Sequence, residues 1–158
     1  MKLRLDYQPP YDWPAMLGFF AARAISGLET VSDGVYSRNF SLHGEHGRFS
    51  VSAGAGDWLE LTLFEVTPAL VPEVVARVRR MFDLDVDLLP IHRHLAADPL
   101  LAPLIAAHPG VKVPGAWDGL ELAIRAVLGQ QITVVAAIKL AGKLVERYGA
   151  RVASPAPG

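Results

Sequence analysis

The pattern of apolar and polar positions is most regular in the C-terminal third of the chain, where it predicts two helices joined by a short polar turn. Asp118 is placed to cap the first helix. Its apolar residues recur at the spacing of one buried face: Leu120, Ile124, Val127 and Leu128. Thr133 is placed to cap the second helix, which Gly149 would end in a left-handed conformation. The apolar face of that helix comprises Val134, Ala137, Leu140, Ala141, Leu144 and Tyr148. Gln130 and Gln131 therefore lie at the tip between the two helices.

The N-terminal half has the pattern of a layer of strands and helices. Leu3 and Leu5 alternate with charged residues in a first strand. Asp12 is placed to cap a helix that Gly27 would end. Apolar and polar residues alternate with a period of two in three further strands, which are Gly34 to Leu42, Phe49 to Ala53 and Trp58 to Phe64. A turn from Gly44 to Gly47 joins the first two. Pro72 opens a helix that would cover this sheet with Val74, Val75, Val78, Met81 and Phe82.

The fold class predicted from this order is α+β, with an antiparallel sheet and two helices followed by part of an all-α domain. From Asp85 the composition becomes helical, and prolines divide residues 85–115 into short helices and turns. We therefore place a domain boundary near Asp85, which gives an α+β domain at residues 1–84 and the start of a helical domain at residues 85–158. Residues 152–158 lack periodicity and are predicted to form a loop.

Composition excludes several classes of site. The 158 residues include no cysteine, which rules out disulfides and thiolate metal sites. A formal net charge of -1 gives no global attraction to phosphate, so any nucleic-acid surface must be local. No stretch approaches the ~18 apolar residues needed to span a membrane, and the N-terminus lacks a signal peptide. We expect a soluble cytoplasmic protein with no membrane partner.

The histidines and aspartates are not spaced as metal ligands, and we expect no metal and no cofactor. His92 and His94 are two positions apart, which points them to different sides of a helix. The aspartates at positions 83, 85 and 87 lack the glycine and glutamate of a calcium loop, and we interpret them as helix caps. His43 and His46 are interpreted as turn residues.

Two longer segments and a short third one carry a resemblance to a known family. The longer segments are RAVLGQQITVVAAIKL, from Arg125 to Leu140, and YQPPYDW, from Tyr7 to Trp13, followed by MLGFFAARA, from Met16 to Ala24. Together with Met81-Phe-Asp-Leu84, they are similar to the 3-methyladenine DNA glycosylase II family, and the similarity covers essentially the whole chain. It implies an N-terminal domain shaped like half of a TATA-binding protein and two helical domains flanking a DNA-binding cleft. The family's helix-hairpin-helix motif and catalytic aspartate lie downstream of the matched segments, so we expect no catalytic residue in this chain.

The resemblance also implies roles for individual residues. Phe19 and Arg23, four apart on the first predicted helix, match positions that line the family's substrate pocket, where an electron-poor alkylated base would stack on an aromatic ring. Gln131 matches a position that supplies a wedge inserted into DNA, which is apolar in some members. Gln130 is assigned to the substrate pocket. From the residues alone, core packing of Phe19 and a solvated turn at the two glutamines remain alternatives.

A basic stripe follows the polar face of the last predicted helix, where Lys139, Lys143 and Arg147 recur every four residues. These side chains could contact DNA phosphates. A solvated helix face, with Glu146 as a partial ion-pair partner, is the alternative interpretation.

The leading hypothesis is the N-terminal part of a DNA repair glycosylase that hydrolyses the N-glycosidic bond of alkylated purines in double-stranded DNA. The isolated chain is then expected to be inactive. The alternative is a non-catalytic DNA- or protein-interaction module that retains the fold. In either case the apolar face at Leu140, Leu144 and Tyr148 would need a cover, which predicts that this fragment self-associates.

Overall fold

The computed structural model describes residues 1–151 and consists of one five-stranded antiparallel sheet with helices packed on one face. The strands are β1 (Lys2–Asp6), β2 (Glu29–Ser32), β3 (Val35–Leu42), β4 (Glu45–Ala53) and β5 (Trp58–Phe64). Their order in the sheet is β1-β5-β4-β3-β2. The predicted α+β fold class is confirmed. The loop predicted at residues 152–158 lies outside the described range.

The helices are α1 (Trp13–Ala21), α2 (Val71–Met81), α3 (Leu88–Leu95), α4 (Ala102–Ala107), α5 (Gly119–Leu128) and α6 (Val134–Tyr148). The predicted caps Asp12, Asp118 and Thr133 are confirmed, because each side chain accepts a backbone N–H of the first turn at 2.9, 2.9 and 3.2 Å. Asp87 likewise caps α3. Asp83 and Asp85 cap no helix, contrary to the prediction: Asp83 accepts the amide of Val113, and Asp85 pairs with Arg79.

The sheet has one more strand than the sequence predicted. β2 was missed because it has only four residues and begins at the charged Glu29. It pairs with β3 through a turn at Asp33 and Gly34, whose φ angles of 52° and 77° suit a two-residue hairpin. The next hairpin turns at His43 and Gly44 in the same way, at 52° and 82°. β4 therefore starts earlier than predicted, and His46 lies in that strand instead of in a turn.

Two predicted helix ends are wrong. α1 ends at Ala21, well before Gly27, because the chain tightens into a turn in which Arg23 N donates to Phe20 O and then buries Ile25. Gly149 follows α6 with φ −70° and ψ 143°, which is extended and not left-handed.

The hydrophobic core lies between the sheet and helices α1 and α2, as the alternation of the strands predicted. Its fully buried side chains include Tyr36, Phe49, Val51, Leu59, Leu61, Val74, Val78, Met81, Phe82 and Leu84. Trp117 belongs to the same core, with ring centroids 5.0 Å from Phe40 and 5.2 Å from Phe49.

The segment that leads to Trp117 runs along the N-terminal layer. Gly110 O accepts the amide of Asp12 at 2.7 Å, and Gly115 N donates to Met81 O at 2.8 Å. A Cβ atom at Gly115 would lie 2.5 Å from Arg80 O, so this approach requires glycine. The boundary near Asp85 stays a prediction, although the chain crosses back to the α+β layer before α5 begins.

The apolar face predicted to be buried on α5 is largely exposed, although its fourth residue, Leu128, is half-buried. Leu120, Ile124 and Val127 retain 72, 43 and 66% of their accessible surface, because no element among residues 1–151 covers them. On α6, Ala141 is buried, whereas Leu140, Leu144 and Tyr148 are exposed.

None of the helices described in residues 1–151 combines the length and the apolar character needed to cross a bilayer.

Candidate DNA-binding cleft and tip

A cleft of about 340 Å³ opens between the end of α1 and the side of α5. Its walls combine aromatic and charged side chains. Its lining includes Phe19, Arg23, Glu29, Arg38, Glu121 and Arg125. The two residues assigned to a pocket from the sequence, Phe19 and Arg23, thus share one cleft.

Phe19 and Arg23 are in direct contact. The Arg23 guanidinium carbon lies 4.0 Å from the centre of the Phe19 ring, and its Nη1 donates to Phe19 O at 3.2 Å. The sequence predicts both residues on one helix face. In the structure Arg23 lies two residues beyond the end of α1, so the two side chains meet across a turn. Phe19 also packs edge-on against the buried Phe20, so its ring both contacts the core and forms part of the cleft wall.

Four charged residues form a cluster at the base of the cleft: Glu29, Arg38, Glu121 and Arg125. Arg38 Nη1 and Arg125 Nη2 each lie 2.7 Å from an oxygen of Glu29. Arg125 Nε donates to Glu121 Oε1 at 2.8 Å, and Arg38 Nη2 also bonds to Glu121. The hydroxyl of Tyr36 donates to Glu29 Oε1 at 2.7 Å. This four-charge cluster joins β2 and β3 to α5.

The charges within the cluster balance, and the pKa of Glu29 reflects this. Burial raises the pKa of the Glu29 carboxyl, but the guanidinium groups of Arg38 and Arg125, with hydrogen bonds from Arg125 and Tyr36, outweigh burial and hold that pKa below its ordinary value. The pKa of Tyr36 is raised, chiefly by burial. Arg38 Nε and Asn39 Oδ1 are buried without a hydrogen-bond partner among the described residues.

Sequence reasoning missed the four-charge cluster. One signal was present, because Arg38 occupies an inward position of β3 between Tyr36 and Phe40, where the alternation calls for an apolar residue. A charge at such a position needs a buried partner. The partners could not be identified from local pattern.

Gln130 and Gln131 are exposed in the turn between α5 and α6, as predicted. Neither side-chain amide is hydrogen-bonded within residues 1–151. Gln130 does not line the cleft beside Phe19 and Arg23, so its assignment to the substrate pocket stays a prediction.

The basic stripe on α6 is also exposed. Lys139, Lys143 and Arg147 form no ion pair within the described part of the chain, so the pairing with Glu146 that the alternative interpretation included is not found. The Arg147 guanidinium instead lies 5.5 Å from the Tyr148 ring centre. Contact with phosphate stays a prediction for all three.

No group of three or more His, Cys, Asp or Glu residues within positions 1–151 is arranged to hold a metal ion. His43 instead lies beside a carboxylate, with its Nε2 2.8 Å from Glu73 Oε2.

Comparison with known proteins agrees with the motifs. The AlkA N-terminal domain family matches residues 2–118. DNA-3-methyladenine glycosylase 2 of Escherichia coli (strain K12) is 36% identical over 149 residues, which is 94% of this chain and 51% of that protein. The probable bifunctional transcriptional activator/DNA repair enzyme AlkA of Mycobacterium tuberculosis (strain H37Rv) is 37% identical over 149 residues, 94% of this chain and 30% of that protein.

A solved structure shares the fold. The 3-methyladenine DNA-glycosylase from Archaeoglobus fulgidus aligns with a TM-score of 0.79 at 21% identity, over 94% of this chain and 50% of that one. The present chain spans about half the length of the Escherichia coli relative, and the family recognised from its motifs is confirmed. The chain belongs to the AlkA N-terminal domain family.

Proposed function

We propose that this chain is the N-terminal part of a DNA repair glycosylase that excises alkylated purines by hydrolysing the N-glycosidic bond. The observation that carries the proposal is the match at 36% identity over 149 residues to a protein named as a DNA-3-methyladenine glycosylase, because this match spans both the cleft and the glutamine tip. The chain covers about half of that relative, so we assign the catalytic carboxylate to the other half.

Phe19 is the proposed stacking surface for the damaged base. Alkylated purines are electron-poor or cationic, and such rings are attracted to the negative face of an aromatic side chain. The guanidinium of Arg23 already lies over the Phe19 ring at 4.0 Å, which supports the proposal that this ring face accepts a cation. Arg23 has no carboxylate partner among the described residues, so it could turn towards a DNA phosphate when a base enters.

Gln131 is the proposed group that enters the DNA. Extruding a base leaves a gap in the stack, and the enzyme must fill it. An exposed, unpaired amide at the end of a helical tip can both occupy such a gap and hydrogen-bond the orphaned base. Lys139, Lys143 and Arg147 would add phosphate contacts along α6.

The proposed partner is therefore double-stranded DNA that contains alkylated bases, and the proposed location is the cytoplasm, where a protein without cysteine is at no disadvantage.

The alternative of a non-catalytic interaction module draws on the exposed apolar faces of α5 and α6. We propose that the 158-residue chain alone binds a second copy through Leu140, Leu144 and Tyr148, which are 42, 38 and 72% exposed.

The test is release of free 3-methyladenine from alkylated DNA. The complete gene product, purified from a host without its own alkylation glycosylases, should release the base, and the 158-residue chain should not. The resemblance assigns the carboxylate that would stabilise the developing sugar cation to the other half. The cleft carboxylates Glu29 and Glu121 are already paired with Arg38 and Arg125. Release by the short chain would refute the assignment of the catalytic carboxylate to the other half. DNA binding without release by the complete product would support the non-catalytic interaction module.

A further inference from the structure

Arg125 connects the two parts of the proposed site. Its Nη1 donates to the backbone carbonyl of Arg23 at 3.0 Å, on the loop that closes one wall of the cleft. Its Nη2 lies 2.7 Å from Glu29, and its Nε donates to Glu121 at 2.8 Å. The same side chain therefore holds α5, the Arg23 loop and the first residue of β2.

Arg125 lies near the end of α5 that leads to the glutamine tip, so its contacts can restrain the position of that tip. Leu128, the last residue of α5, follows Arg125 by three residues, about 4.5 Å along the helix axis at the rise of 1.5 Å per residue, and Gln130 lies two residues further on in the turn. Apart from Arg125, this end of α5 is held by the half-buried Leu128 and by contacts with α6, whereas Leu120, Ile124 and Val127 are largely exposed among residues 1–151. A rotation of α5 about its axis would therefore move the tip relative to Phe19 and Arg23 unless Arg125 restrains it.

The chemistry of the guanidinium suits this role. Its planar fork donates in three directions, towards Glu29, Glu121 and the Arg23 carbonyl. A lysine ammonium would supply the charge but not the fork, so it could balance the carboxylates without bridging all three groups.

We propose that Arg125 is a positioning residue that holds the Phe19–Arg23 wall and the Gln130–Gln131 tip in one arrangement, so that both act on the same extruded base. The inference rests on the proposed function for its consequence in excision. The restraint itself is a property of the folded chain and is testable without DNA.

The first experiment measures the restraint. Cysteines at Ala22 and Ile132, both exposed, carry spin labels in the complete gene product, in a background without other cysteines; residues 1–158 contain none. The wild-type distance distribution should be narrow, and Arg125→Lys should broaden or shift it. Arg79→Lys is the matched control, because Arg79 also bonds a carboxylate, Asp85, and a backbone carbonyl, Asp6 O, but lies outside the cleft.

The second experiment measures the consequence. Arg125→Lys should slow single-turnover base excision by up to about a hundredfold, the loss that a misplacement of reacting groups by about 1 Å can cause. Affinity for undamaged DNA should not change. The losses from Arg125→Lys and Arg23→Ala should be less than additive in the double variant, because one acts through the other.

The two experiments separate the possible failures. An unchanged label distribution in Arg125→Lys overturns the inference, whatever the excision rate. A broadened distribution with an unchanged excision rate also overturns it, because the restraint would then serve stability alone. If the wild-type protein excises no alkylated base, the proposed function fails, and the label distances alone decide whether Arg125 restrains the tip.

Discussion

Arg38 and Glu29 form an ion pair in the interior, with 2.7 Å between Nη1 and Oε1 and with only 3 and 4% of the two side chains exposed. The pair joins β3 to β2, and both residues extend it to α5 through Glu121 and Arg125. Removing one member of such a pair leaves a charge buried without compensation. The N-terminal layer and α5 are therefore linked by electrostatics as well as by the packing of Trp117.

Glu29→Gln should lower the free energy of unfolding by about 3–5 kcal/mol, the range for breaking a buried ion pair. The change keeps the shape of the side chain and removes its charge, so Arg38 and Arg125 must share Glu121, which is 25% exposed, as their one remaining carboxylate partner among the described residues. Urea unfolding of the chain measures the loss. Glu60→Gln is the control, since Glu60 pairs with Lys2 on the exposed face and should contribute only about 0–1 kcal/mol. Equal effects of the two variants would contradict the account.

Stability should also decrease in acid through Glu29. Burial raises the pKa of Glu29, but the lowering by the two guanidinium groups is larger. The pKa of Glu29 in the folded protein is therefore below the unfolded value of about 4.3. Ionised Glu29 therefore stabilises the fold fully above that pH, and this contribution is lost as pH falls below about 4.3 through the lowered value. The free energy of unfolding, measured from about pH 6 to pH 3, should be higher for wild type than for Glu29→Gln. This difference should decrease only below about pH 4.3. A constant difference would exclude Glu29 as the titrating group.

Phe19→Leu should reduce excision of cationic alkylated purines more than excision of neutral ones in the complete gene product. Leucine keeps an apolar wall but removes the aromatic face, a loss of about 0.5–2 kcal/mol for a cation. Comparing single-turnover rates on the two classes of lesion tests this. Phe64→Leu is a suitable control, because its ring lies under Arg48 outside the cleft. An equal loss on both lesions would assign Phe19 to core packing alone.

The 158-residue chain should self-associate, and Leu144→Lys should weaken the association. The exposed face at Leu140, Leu144 and Tyr148 would gain about 25 cal/mol for each Å² removed from water, opposed by the entropy of association. Light scattering coupled to size exclusion measures the mass. Leu104→Lys, an equally apolar exposed site on α4, should have no effect. A monomer at high micromolar concentration that binds no hydrophobic dye would mean that the chain covers this face itself.

Features that depend on neighbouring residues could be predicted from the sequence. Asp12, Asp118 and Thr133 act as caps because each bonds an amide within the next three residues. The strand β2 could not be predicted this way. Its first residue, Glu29, is favourable in the interior only because Arg38 and Arg125 neutralise it.

The candidate site shows the same limit. Phe19 and Arg23 were paired from their spacing and are in contact, although a turn and not a helix brings them together. Glu121 and Arg125 were missed because their partners Arg38 and Glu29 lie 83 and 96 residues away in the chain. The resemblance to the family selected Phe19, Arg23 and the two glutamines as candidates, and these roles stay predictions. The side chains that connect the cleft to the tip required the structure.

The central claim is that the turn between α5 and α6 contacts DNA at the lesion, and Gln131 tests it most directly. The measurement is the affinity of the complete gene product for double-stranded DNA carrying an abasic-site mimic, compared between wild type, Gln131→Ala and the exposed control Gln8→Ala. We predict that Gln131→Ala loses about 1 kcal/mol or more, since it removes a group that enters the stack, and that Gln8→Ala binds as wild type. Unchanged affinity in Gln131→Ala would contradict the account and reduce the tip to a solvated turn.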